Sequence, residues 1–133
     1  MNIQGKFPNT RLRRNRMKDF SRRLVAENNL CSDDLILPLF VCEGNNIENP
    51  IQSMPGVNRY SIDKLLHKVE EAVKLSIPAI AIFPQIETSL KNAEGSLAFD
   101  ENNLVCRSIK SIKKEFSDIG IICDVALDPF TDH

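Results

Sequence analysis

The chain has 133 residues, of which 42% are hydrophobic and 26% are charged, a composition typical of one soluble globular domain with its own core. Its formal net charge of −1 conceals an uneven distribution: residues 1–30 carry eight Lys or Arg and two Asp or Glu, a net charge of +6, so the rest carries −7. No apolar run approaches the roughly 20 residues that span a bilayer, and no signal-peptide core follows the basic start, so we expect a cytoplasmic protein without a membrane partner.

The first 34 residues predict an arm rather than part of a core. Met17, Phe20 and Leu24 recur at helical spacing among arginines, and the cluster Arg11–Arg16 could bind nucleic acid because clustered cations neutralise phosphate. No aromatic side chains are interleaved in this cluster to stack on bases. We therefore expect a solvated or subunit-contacting surface and no nucleic-acid partner.

The next part of the chain predicts a strand, a loop and a helix. The apolar run Leu35–Val41 indicates a strand buried on both faces, in which Pro38 requires that the strand start after it, lie at an edge or bulge there. Residues 43–58 are rich in Asn, Pro and Gly and predict a loop. Ser61 then caps a helix over about residues 61–76.

The last part predicts a strand at 77–83, a long loop at 85–100, a helix and a third strand at 121–123. A loop of that length usually carries function. Asp100 or Asn102 caps the helix. The apolar face of this helix consists of Val105, Ile109, Ile112 and Phe116. The order β-α-β-α-β implies parallel strands, as in half of a doubly wound sheet or the first third of a barrel.

The last fourteen residues, Gly120–His133, are the strongest candidate for chemistry. The third strand runs directly into Asp124, and parallel α/β folds keep their working groups at such strand ends. Asp124 and Asp128 could hold a divalent cation or act as acid and base. On spacing alone, the alternative stays open that Asp124 bonds to backbone and Asp128 begins a turn. Phosphorylation of Asp124 is a weaker alternative, and we expect His133 at the surface.

Five blocks of the sequence form a recognisable set: Arg11–Arg16, Ile36–Val41, Ser53–Val57 with Tyr60–Asp63, Ile80–Pro84 and Asp124–Thr131. Together they closely resemble the porphobilinogen synthase family, also called δ-aminolevulinic acid dehydratase. The resemblance implies an α/β fold in which an N-terminal oligomerisation arm, residues 1–34, precedes the first three β/α units of a (β/α)8 TIM barrel, residues 35–133. That barrel is incomplete here, since such barrels need about 250 residues. The family usually assembles as a homo-octamer through its arm.

The resemblance also implies a lyase of haem and porphyrin biosynthesis, which condenses two molecules of 5-aminolevulinate into porphobilinogen with loss of water. The family's two Schiff-base lysines lie beyond residue 133, so neither Lys91 nor Lys110 is assigned that role. We expect the 133-residue chain alone to be inactive. The alternative function is a non-catalytic interaction module that binds partner subunits through its arm and an open sheet edge.

Two aspartates of this chain match positions in the family's active site. Asp124 matches the aspartate at the end of the third strand, which supports the Schiff-base lysines. Ala126 and Asp128 stand where zinc-dependent members have cysteines. An alanine supplies no ligand and a carboxylate prefers a hard cation, so Asp128 is a candidate metal ligand, Mg²⁺ is the implied ion and zinc is not expected. The four cysteines, with no C-x-x-C pair, predict reduced thiols.

Overall fold

The computed structural model describes residues 5–132, so the expectation for His133 lies outside the described residues. They fall into two compact units, one ending at Leu30 and the other beginning at Cys31. The first unit contains the short helix α1 (Asp19–Leu24), as the spacing of its apolar residues predicts. No helix among residues 5–132 is both long and apolar enough to cross a bilayer.

The second unit is built on a five-stranded sheet in the order β2-β3-β1-β4-β5. Its strands are β1 (Ile36–Val41), β2 (Glu48–Pro50), β3 (Asn58–Tyr60), β4 (Ala79–Pro84) and β5 (Gly120–Cys123). Strands β3, β1, β4 and β5 are parallel, and β2 is antiparallel to β3. Helix α2 (Ile62–Lys74) connects β3 to β4, and α3 (Leu104–Glu115) connects β4 to β5. The predicted α/β class with parallel strands is confirmed.

The core lies between the sheet and the two longer helices, which pack against each other and against β1 and β4. Successive strand residues point to opposite faces of a sheet, so only alternate residues of β1 and β4 reach this core. Its fully buried members include Val41, Leu65, Val69, Ile80, Ile82 and Ile112. On the other face Ile36, Phe83 and Ile122 are 54%, 37% and 47% exposed. The prediction that β1 is buried on both faces is therefore wrong, because the helices cover one face.

Two short strands replace part of the predicted loop at 43–58. Strands β2 and β3 are three residues each and pair with one another, and that length is too short to show any periodicity in the sequence. Pro38 lies inside β1 rather than before it. Strand β3 pairs with β1 only at Phe40 and Val41, so Pro38 has β4 as its one neighbouring strand and lies locally at an edge.

The predicted N-cap is correct for α2 and wrong for α3. Helix α2 begins directly after Ser61, as predicted, although the Ser61 hydroxyl accepts the N–H of Ile47 at 2.9 Å rather than one from the helix. Helix α3 begins after Asn103 and not after Asp100 or Asn102. The Asn103 side chain accepts the N–H of Cys106 at 2.9 Å, which satisfies one of the free amides of the first turn.

Candidate functional site

The strands β1, β4 and β5 end beside one another, and polar residues follow each of them. The ladder pairs Val41 with Pro84 and Ile82 with Cys123, and the N–H of Gln85 donates to the carbonyl of Val41 at 2.7 Å. Asp124 comes directly after β5, as the sequence predicts. Because parallel strands present their carboxyl ends at one edge, this edge is where the structure places the predicted site.

The segment after β5 exposes its carboxylates and buries its far end. Asp124 and Asp128 are both exposed, and Asp128 begins a single 3-10 turn that ends at Phe130. Phe130 and Thr131 are buried, and the N–H of Phe130 donates to the carbonyl of Leu127 at 2.8 Å. Asp128 is therefore a turn residue, and its carboxylate remains open to a ligand.

The predicted long loop packs against this segment. Gly95 is buried and has a φ of +59°, and a Cβ added to it would lie 3.3 Å from Cγ2 of Thr131. The N–H of Asn92 donates to the carbonyl of Phe130 at 3.3 Å. The Asn92 side chain also closes the turn by accepting the N–H of Ser96 at 3.0 Å. The loop thus supports the backbone that carries the two aspartates.

Sequence reasoning missed an ion pair at the same edge. The guanidinium of Arg107, in the first turn of α3, pairs with the carboxylate of Glu43, which follows β1. Nε of Arg107 also donates to the carbonyl of Asn102 at 2.9 Å. The partners are 64 positions apart in the chain, and a lone glutamate and a lone arginine carry no local pattern that joins them.

The described residues do not complete a metal site. Among residues 5–132 no group of three or more His, Cys, Asp or Glu side chains could hold a metal ion, so Asp128 supplies one carboxylate without a full ligand set. The four cysteines are free thiols. Burial raises the pKa of the Cys42 thiol and of the Cys123 thiol, which disfavours the reactive thiolate.

Neither Lys110 of α3 nor Lys68 of α2 has the surroundings of a Schiff-base lysine. Nζ of Lys110 donates to the carbonyl of Glu101 at 3.1 Å on the outside of α3. A hydrogen bond to the Glu71 carboxylate raises the pKa of Lys68, whereas a nucleophilic amine needs a lowered pKa. Lys91 is half-buried in the loop ahead of α3.

Comparison with known proteins identifies the family. A family profile describing delta-aminolevulinic acid dehydratase matches residues 9–133. The delta-aminolevulinic acid dehydratase of Bradyrhizobium diazoefficiens is 55% identical over 92% of this chain and 35% of its own length, and that of Chlamydia pneumoniae is 45% identical over 92% and 37%. The chain thus spans about a third of the length of these relatives.

A solved structure agrees with the sequence comparison. The delta-aminolevulinic acid dehydratase (porphobilinogen synthase) of Toxoplasma gondii ME49, crystallised in complex with the reaction product porphobilinogen, aligns with a TM-score of 0.82 and 38% identity. The alignment covers 92% of this chain and 34% of that one, as expected for an incomplete barrel. The predicted fold and the resemblance are both confirmed, and the chain belongs to the delta-aminolevulinic acid dehydratase family.

Proposed function

We propose that this chain forms the arm and the first barrel strands of a porphobilinogen synthase, a lyase of haem and porphyrin biosynthesis that condenses two molecules of 5-aminolevulinate. The observation that carries the proposal is the alignment of 92% of the chain with an enzyme crystallised with porphobilinogen. The exposed carboxylate of Asp124 at the end of β5 supports it. There it would orient the substrate amine or accept its proton.

A chimera tests this proposal. Residues 1–133 are joined to the remaining length of the Bradyrhizobium relative, and formation of the pyrrole from 5-aminolevulinate is assayed. We expect turnover in the chimera and a loss of at least about 100-fold with Asp124→Ala, because a proton-transfer group contributes that much or more. The matched control is Asp118→Asn, an exposed aspartate before β5, which should keep full activity.

Two results would overturn the proposal. One is a folded chimera that does not form the pyrrole, and the other is clear turnover by the 133-residue chain alone. We expect no turnover by that chain, because the resemblance implies that the family's Schiff-base lysines lie beyond residue 133 and Lys68, within the chain, has a raised pKa.

Magnesium enters the proposal only through Asp128. A carboxylate at this position favours a hard cation, but the described residues contain no group of three or more His, Cys, Asp or Glu side chains that could hold one, so we assign no reaction step to a metal. Titration of the chimera with MgCl₂ by calorimetry, with and without Asp128→Ala, measures whether this carboxylate contributes to binding. Equal magnesium affinity in both proteins removes Asp128 as a ligand.

We also propose that the enzyme assembles into an octamer through residues 1–34. Large apolar side chains of the first unit are exposed, as expected for a surface that another subunit covers. They are Phe7, Leu12, Met17, Phe20, Leu24 and Leu30. Deleting residues 1–30 from the chimera should reduce its mass in sedimentation from an octamer to a smaller assembly. We also propose a cytoplasmic location. The four free thiols support it, because cytosolic proteins keep their cysteines reduced.

The second candidate function is a non-catalytic module that binds full-length subunits. The exposed apolar face of the sheet and the outer edge of β5 favour it, because both could pair with another chain. Size-exclusion chromatography of the 133-residue chain with and without the Bradyrhizobium enzyme distinguishes the two functions. A monodisperse chain that does not co-elute with that enzyme excludes the module.

A further inference from the structure

A continuous set of contacts leads from the end of β1 to the segment that carries Asp124 and Asp128, and Arg107 lies at its start. The Arg107 guanidinium pairs with Glu43, and its Nε donates to the carbonyl of Asn102 at 2.9 Å. One side chain therefore fastens the residues after β1 to the end of the loop that precedes α3.

That loop is hydrogen-bonded along its length. Nδ2 of Asn103 donates to the carbonyls of Leu97 and Ala98 at 3.4 and 3.3 Å. The N–H of Ala98 donates in turn to the carbonyl of Gly95 at 2.9 Å. Asn102, which accepts the Arg107 bond, directly precedes Asn103, so these bonds form a nearly continuous path through the loop as far as Gly95.

Gly95 and Asn92 are where the loop reaches the aspartate segment. A Cβ on Gly95 would lie 3.3 Å from Cγ2 of Thr131 and 3.7 Å from both Cδ2 of Leu127 and Cβ of Phe130, so these side chains pack closely against the backbone of Gly95. The N–H of Asn92 adds its hydrogen bond to Phe130. The segment leaves β5 at the edge of the sheet. Together with the burial of Phe130 in the core, these contacts hold the segment in place among the described residues.

We propose that Arg107 is a positioning residue, which orders the loop and through it places the carboxylates of Asp124 and Asp128. The side chains of Arg107 and Glu43 are 42% and 40% exposed, so their pairing adds little to global stability. Its effect is on local order, where small displacements of reacting groups have large kinetic consequences. The catalytic consequence rests on the function proposed above, whereas the structural role does not.

Amide hydrogen exchange on the 133-residue chain tests the structural role. Arg107→Met should speed exchange of the Asn92 and Ala98 amides by about fivefold and leave those of α2 unchanged, since one partly exposed pair is lost. In Arg107→Lys, which keeps the positive charge and one contact, the exchange rates of these amides should lie between those of the parent chain and those of Arg107→Met. The matched control is Lys74→Met, which removes the exposed pair of Lys74 with Glu70 on α2 and should not affect the loop.

Two exchange results would contradict the structural role of Arg107. Unchanged exchange at Asn92 in Arg107→Met overturns it. An equal rise at Asn92 and in α2 also overturns it, because that pattern means general unfolding rather than release of the loop.

Kinetics of the chimera test the catalytic consequence. We expect Arg107→Met to lower kcat by about tenfold with KM within about twofold, because misplacement of reacting groups acts on the chemical step. Arg107→Lys should recover part of kcat, and Lys74→Met should match the parent. An unchanged kcat in Arg107→Met overturns the catalytic consequence. An inactive parent chimera counts against the proposed function, and the exchange data then still decide the role of Arg107.

Discussion

The two faces of the sheet have similar sequences and very different surroundings. Ile80, in β4, is fully buried beneath the helices, whereas Ile36, in β1, is half exposed on the other face. Both lie in apolar runs of the kind found in parallel strands that are covered on both sides. The difference shows that apolar composition encodes a tendency to be covered, whereas the covering itself depends on which elements pack there. In residues 5–132, helices do so on one face.

Truncation of one isoleucine on each face should give the largest contrast. Ile80→Ala removes a fully buried side chain and should lower the free energy of unfolding by about 3 kcal/mol, from lost transfer energy and a cavity. Ile36→Ala should cost about 1 kcal/mol or less, because water already reaches half of that side chain. Urea denaturation followed by circular dichroism measures both. Equal losses would mean that a second layer, such as another copy of the chain, covers Ile36 in solution.

A charge on the open face should reduce self-association. Ile122→Lys places an ammonium on β5, the outermost parallel strand, where unpaired backbone and apolar surface would otherwise join copies of the chain. We expect the dissociation constant for self-association to rise about tenfold in sedimentation experiments, since edge charges oppose strand pairing. Val73→Lys, which adds the same charge to an exposed position of α2, is the control. If both variants change association equally, net charge and not the open face is responsible.

The covered face is also the part of the fold that the sequence predicts best. The apolar runs that became β1, β4 and β5 and the amphipathic pattern of α2 are strong local signals, and the position of Asp124 follows from the end of a run. The three-residue strands β2 and β3 offer no period to detect. The observed start of α3 lies one to three residues after the predicted ones, because Asp100, Asn102 and Asn103 are all suitable caps and the sequence alone does not distinguish them.

The candidate site also contains residues whose positions the sequence predicts and contacts that it does not predict. Asp124 and Asp128 are adjacent in sequence to a predicted strand, so their place at its end could be derived. The pairing of Glu43 with Arg107 depends on how α3 docks on the sheet, and no spacing in the chain encodes it. The packing of Gly95 on Thr131 likewise requires the tertiary structure.

The smallest expected effect concerns the start of helix α2, which covers one face of the sheet. There the Asp63 carboxylate should make the stability of the chain depend on pH. The Asp63 carboxylate, in the first turn of α2, accepts the hydroxyl of Ser61 at 2.5 Å and the N–H of Asn46 at 3.0 Å. The Ser61 hydrogen bond is the main cause that lowers the pKa of Asp63 below its ordinary value of about 3.9, and the Asn46 N–H adds to it.

Because the pKa of Asp63 is lower in the folded chain than in the unfolded one, its contribution to stability is complete above about pH 4 and is lost as the pH falls through the folded value. Asp63→Asn should therefore lower the urea midpoint at pH 6 and have less effect at pH 3, where the carboxylate of the parent is largely protonated in the unfolded chain. The effect should be small, since water reaches this carboxylate. Asp33→Asn, an exposed aspartate outside α2, is the control. An equal loss at both pH values would mean that Asp63 acts through packing and not through its charge.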